Sequence, residues 1–153
     1  MSRQEQKIKT GAQGLLEPGE DVLAAFVARP RGWTQANAGS IHVGAGQQGR
    51  AYAAGENAGF ELASPMALAV TQHRLLVLRI GSPIGLGLGG AVKELVSAVP
   101  LSDVDAIDVK RLALGKVVTV TVRGIEVKLE ANAAASVKEL VEAYERARPR
   151  MAA

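Results

Sequence analysis

The stretch KVVTVTVRGIEVKLE, residues 116 to 130, constrains this chain more than any other. Val118, Val120 and Val122 alternate with Thr119 and Thr121. After Arg123 and Gly124 the alternation resumes, with Ile125, Val127 and Leu129 set against Glu126, Lys128 and Glu130. Successive side chains of a strand point to opposite faces, so a period of two gathers all six aliphatic residues on one side. A two-residue break containing glycine between such runs is a hairpin turn. The segment is therefore an antiparallel hairpin with one buried face, and that face needs a cover.

The cover follows directly in the chain. NAAASVKELVEAYERARP carries Val137, Leu140, Val141 and Tyr144 at helical spacing, with Asn132 or Ser136 as N-cap and Pro149 as a stop. The hairpin is expected to lie beneath this helix. Upstream, DVLAAFVAR is an apolar run of strand length stopped by PRG, because proline cannot donate to a ladder. MALAV and LLVLRI are two further strand-length runs, separated by TQHR, the size of a hairpin loop. Residues 3 to 16 end in Leu15 and Leu16 before the EPGE turn and predict a short helix. Residues 33 to 60, rich in Ala, Gly, Gln and Asn, keep neither period and read as a long loop.

RIGSPIGLGLGGAVKELVSAVP poses a separate question, because Gly85, Gly87 and Gly90 spell GxGxxG. In a dinucleotide-binding enzyme such glycines link a strand to a helix whose N-terminus holds a pyrophosphate. Val92, Leu95, Val96 and Val99 do form a helical stripe, yet the length before Pro100 suits a strand equally well. Asp105 or Asp108 stands where a ribose-binding acid would be sought. A nucleotide fold, however, then needs parallel strands joined by helices, whereas DVDAIDVKR and a tight hairpin follow here, the mark of antiparallel pairing.

Composition narrows the function classes. A chain of 153 residues fits one domain. The absence of cysteine removes disulfides, thiolate nucleophiles and zinc-thiolate sites, and makes a reducing cytoplasm the expected location. The N-terminal MSRQEQKIKTGAQ lacks the apolar core of a signal peptide, and no apolar run approaches the roughly 18 residues of a membrane span. Net charge is +3, but Glu94, Asp103, Asp105 and Asp108 are interleaved with Lys93, Lys110 and Arg111. Together with only five aromatic residues, that argues against a nucleic-acid partner. DVDAID departs from a calcium loop, with Asp108 where glycine is needed and Leu114 where glutamate is needed. His42 and His73 fall in different loops, and no spacing suggests a serine, histidine and aspartate triad. No cofactor or metal is expected.

In order, the pieces are LLEPGEDVLAAF, MALAVTQHRLLVL, AVPLSDVDAIDV, the valine-rich hairpin and the closing helix. This succession resembles the bacterial pleckstrin-homology-like domains. The resemblance covers residues 15 to 148 apart from the insertion at 33 to 60, leaving 1 to 14 as an N-terminal extension or short helix and 149 to 153 as a tail. It implies a mainly β fold: a barrel of seven antiparallel strands in two near-orthogonal sheets, capped by the C-terminal α-helix. AVKELVSAV then becomes the fourth strand, and the glycines become a loop between antiparallel strands.

The resemblance also implies a ligand end, built by the loops after the first, third and sixth strands. Those loops carry Arg29, Arg31, Arg50 and Arg123, with Arg79 and Lys93 on flanking strands, an arrangement suited to anions. Trp33 with Ile84, Leu86 and Leu88 would add an apolar tip. The expected function is a non-enzymatic binding or interaction module whose partner is a protein, a peptide or an anionic membrane surface contacted peripherally. The alternatives are a structural domain that self-assembles into homo-oligomers and a nucleotide-dependent enzyme using residues 85 to 90.

Overall fold

The computed structural model describes residues 3–33, 41–81, 91–113, 115–132 and 135–149. Helix α1 (Arg3–Ala12) and a 3-10 turn lead into β1 (Val22–Pro30); then come α2 (Ile41–Ala58), β2 (Met66–Thr71), β3 (Arg74–Ile80) and β4 (Val92–Pro100). A second 3-10 turn, Leu101–Asp103, precedes β5 (Val104–Leu112), β6 (Gly115–Val122), β7 (Ile125–Ala131) and the closing α3 (Val137–Ala147). The seven strands form one antiparallel sheet in the order β4-β3-β2-β1-β7-β6-β5. β1 joins its halves: it pairs with β2 from Val22 to Ala28 and with β7 only from Ala28 to Pro30. The seven antiparallel strands, the fourth of them over Val92–Pro100, and the C-terminal helix packed on the sheet agree with the arrangement expected from the sequence.

The hairpin of β6 and β7 pairs Val118 with Leu129, Val120 with Val127 and Val122 with Ile125, so the period of two becomes one continuous apolar face. Arg123 and Gly124 both take positive φ (50° and 79°), which gives the turn a twist that matches the strands. Against that face α3 buries Val137, Leu140, Ala143 and Tyr144. The Tyr144 hydroxyl donates to the Val104 carbonyl at 2.6 Å, satisfying a polar group that burial would otherwise strand. The same burial pushes the Tyr144 phenol above its usual pKa.

β2 and β3 are apolar at nearly every position because they are covered on both faces. Met66, Leu68, Val70, Leu75 and Val77 face the inner core, while Ala67, Ala69, Leu76, Leu78 and Ile80 face Ile8 and Ala12 of α1. At the far end of this hairpin the Glu20 carboxylate, with a fully buried side chain, accepts from Arg74 Nη2 at 2.7 Å and Arg74 Nε at 2.9 Å. It also accepts from the Thr71 hydroxyl at 2.7 Å and the Glu17 amide at 3.0 Å. The Arg74 bonds, more than offsetting desolvation, hold the Glu20 pKa at about 2. Among the described residues no helix is long and apolar enough to cross a membrane.

One expectation is corrected. Within the stretch read as a loop, residues 41 to 58 form α2, an 18-residue helix. Helices usually announce themselves by a 3.6-residue apolar period, but among the described residues the apolar side chains that α2 turns inward are alanines: Ala51 and Ala58, with Ala54 beside them. Alanine differs too little from the glycine and glutamine around it to write a period into the sequence.

Candidate functional site

The strand registers bring three connections to one end of the barrel. β1 and β3 finish there, β2, β4 and β7 begin there, and the Arg123-Gly124 turn lies there too. The glycine run joins Ile80 to Val92 across paired antiparallel strands, with the Gly81 amide donating to the Ala91 carbonyl at 3.0 Å, so it connects a hairpin. Gly85, Gly87 and Gly90, and the expected apolar tip at Ile84, Leu86 and Leu88, lie outside the described residues.

The mouth of the barrel is filled by the chain itself. α2 packs on β7 and the end of β1, and Ala51, Ala58, Phe60 and Leu62 join Val127 and Leu129 in the inner core. Arg123 Nη1 donates to the Ala58 carbonyl at 2.6 Å, and Ser97 Oγ on β4 donates to the Glu61 carbonyl at 2.9 Å. The helix and the segment after it therefore span from the β6–β7 turn to the opposite edge strand. Gly32, at φ +107°, lies so close beneath α2 that a Cβ there would meet the Gly44 carbonyl and come within 2.6 Å of Gln47 Cβ.

The cations expected at this end are separated by the sheet. Arg29 stands opposite Glu130, and Ala28 and Phe26 take the inner face, so Arg29 projects from the outer face. Its guanidinium lies 4.0 Å from the centre of the Trp33 ring, within cation–π range, and burial pushes it below its usual pKa. Arg31 Nη1 is bound to Glu130 Oε1 at 2.8 Å, and the same oxygen accepts the Gly32 amide at 2.6 Å. Arg79 belongs to the inward series of β3 and pairs with Glu94 at 2.6 Å. Arg123 is held by Asp103 at 2.8 Å as well as by Ala58. Lys93 is exposed on β4, and Arg50 is exposed on α2.

Among the described residues of the expected site, only Arg29, Arg31 and Trp33 are brought together. The registers add residues that the sequence reading passed over: Glu130 pairs with Val117, Val117 with Lys110, and Lys128 with Thr119. Lys110 and Lys128 are thus exposed on the same outer face as Arg29. The period of two already placed Lys128 opposite the core, but nothing in it indicates that β7 would lie beside β1. Elsewhere, a cleft of about 460 Å³ lies between α1 and the start of β4, lined by Arg3, Thr10 and Val92 among others and not by Arg29.

The arrangement offers charge and an aromatic face. His42 is exposed on α2 and His73 on the β2–β3 turn, and no cluster of metal-binding side chains occurs among the described residues.

The sequence matches no protein-family model and no curated protein. Among solved structures, the chain is similar to the crystal structure of a DUF1696 family protein with a pleckstrin-homology domain from Shewanella loihica PV-4. The two are 9% identical, the match covers 92% of this chain and 93% of that one, and the TM-score is 0.48.

Proposed function

We propose that this protein is a non-enzymatic binding module that holds an anionic group of its partner on the outer face of the sheet, at Arg29 and Trp33, with Lys128 and Lys110 beside them. One observation carries the reading. Arg31, Arg74, Arg79 and Arg123 each face a carboxylate, whereas Arg29, half-buried on the Trp33 ring, has none within ion-pair distance among the described residues. A partly desolvated guanidinium without a counter-ion gains from a carboxylate or phosphate, which it can grip through two parallel N–H donors. The outer face is the available one, because α2 fills the mouth of the barrel.

Trp33 is the only tryptophan, so its fluorescence reports on this site. An oligoglutamate peptide, phosphatidylserine-containing vesicles and phosphatidylcholine vesicles are titrated separately. The expected result is a saturable change in emission with the peptide or with the anionic vesicles, falling steeply with salt. It should weaken about tenfold in Arg29→Ala, the scale of one lost charge-assisted hydrogen bond. A response to the peptide alone identifies a protein partner, and a response to anionic vesicles alone identifies a peripheral membrane contact. No response to either, or an unchanged one in Arg29→Ala, refutes the proposal.

Self-assembly is a second reading, favoured by a different observation. β4 and β5 are the two ends of the strand order, and β5 carries Val109 and Leu112 at 43% and 38% exposure. Open edges of this kind are templates for pairing with another chain. A single-chain mass by light scattering at high concentration would remove this reading and leave the first untouched.

A further inference from the structure

α2 is a weak helix on a strong sheet. Gly44, Gly46, Gly49 and Gly55 interrupt its 18 residues, and each lowers helix propensity about fivefold relative to alanine. Among its described side chains, α2 offers the core only the single methyl groups of Ala51, Ala54 and Ala58, while the larger Val43 and Tyr52 are 57% and 38% exposed. The Gln47 Oε1 atom is buried without a hydrogen-bond partner among the described residues. Burial is what holds a helix of poor propensity in place, and here there is little of it. Beneath α2, by contrast, Val127 and Leu129 are fully buried in a strand hydrogen-bonded on both sides.

Beside the buried Ala58 and Phe60, the C-terminal end of α2 has one long-range polar anchor. Arg123 Nη1 reaches the Ala58 carbonyl, one of the carbonyls a helix end leaves unpaired, and its Nη2 is anchored on Asp103. Residue 59 is a glycine at φ +71°, and a Cβ there would lie 2.9 Å from Nη1.

We infer that α2 is a displaceable cover of the barrel mouth, which leaves as a unit while the seven-stranded sheet stays folded, and that Arg123 is the latch that sets how often it leaves. Opening breaks the Arg123 bond to Ala58, withdraws the alanine face and exposes the apolar inner side of β7 at Val127 and Leu129. Elements with little buried apolar surface and few anchors open at lower free energy than the sheet that carries them. The barrel interior thereby becomes reachable without global unfolding, independently of any ligand at Arg29.

Amide hydrogen exchange of the full chain, read by mass spectrometry, tests this. Amides of residues 45 to 58 should exchange at least about a hundredfold faster than those of β2, β3 and β6, and low urea should leave their rate unchanged, as local opening requires. Arg123→Asn removes the guanidinium but tolerates the positive φ, and should speed exchange in α2 about tenfold without altering β2 and β3. Gly49→Ala, where a Cβ meets nothing within 4 Å, should slow exchange in α2 about fivefold. The Gly49 variant keeps the test decisive if Arg123→Asn fails to fold. Protection of α2 equal to that of the strands and lost with them in urea, or an Arg123→Asn chain whose strands and helix accelerate together, would overturn the inference.

Discussion

Glu20→Gln should cost the protein about 3 kcal/mol at neutral pH and, with it, much of its sensitivity to acid. The magnitude follows from the carboxylate's surroundings: its pKa falls from an ordinary 4.5 to about 2. At 1.36 kcal/mol per unit, that shift corresponds to about 3 kcal/mol of preference for the ionised, folded form. Glutamine keeps the shape and can still accept from Thr71, but it leaves the Arg74 guanidinium, largely covered by the fold, with only the exposed Glu17 carboxylate at 3.8 Å as counter-charge among the described residues. The sign is set by proton uptake. Because the folded pKa lies below the unfolded one, the unfolded chain binds more protons between the two values, and stability falls as the pH drops through that window. The contribution is complete above the unfolded pKa of 4.5 and is lost progressively as the pH approaches 2. Urea unfolding followed by circular dichroism, on parent and variant across this range, isolates the effect, since acid sensitivity from other carboxylates is common to both. The two stability curves should lie about 3 kcal/mol apart at neutral pH and converge in acid. A gap under about 1 kcal/mol at neutral pH, or one that persists unchanged in acid, would refute the reasoning.

The remaining predictions concern packing. Leu140 is fully buried between α3 and the sheet, so Leu140→Ala should destabilise by about 2 to 5 kcal/mol in chemical denaturation, and an unchanged midpoint would show that α3 does not close the core. Gly32→Ala combines a positive φ of 107° with a Cβ driven into the Gly44 carbonyl. It should lower thermal stability by about 1 to 3 kcal/mol and loosen α2 first; a neutral substitution would mean that α2 is not seated there.

How much could be read in advance depended on how strongly each segment's residues contrast. β6 and β7 were legible in full, because valine against threonine and charged residues at every other position records which side is wet. β2 and β3 were legible as strands but not in their setting: their unbroken apolar runs acquire a reason only when α1 is seen on the outer face, opposite the inner core. β4 could not be told from a helix by pattern alone, since Val92, Leu95, Val96 and Val99 satisfy either form; its pairing with β3, with register shifts at Val77/Leu78 and Arg79/Ile80, decided the matter. α2 was invisible for the reason that makes it weak, an inward face of alanine. The candidate site behaved similarly. Arg29, Arg31 and Trp33 were singled out from their loop, but whether a cation is free depends on which carboxylate lies across the sheet, and that is set by pairing between residues about a hundred positions apart.

The sequence by itself determined the hairpin, its covering helix, the three apolar strands before them and the absence of thiol chemistry. These are properties of neighbouring residues, written in periodicity and composition. Tertiary structure alone decided that α2 would fill the mouth, that Glu20 would be clamped by Arg74, and that Arg31 would find Glu130 while Arg29 came to lie on the Trp33 ring. Each of these results from long-range registry, where a shift of a single residue would turn every side chain of a strand to the opposite face and give each charge a different neighbour.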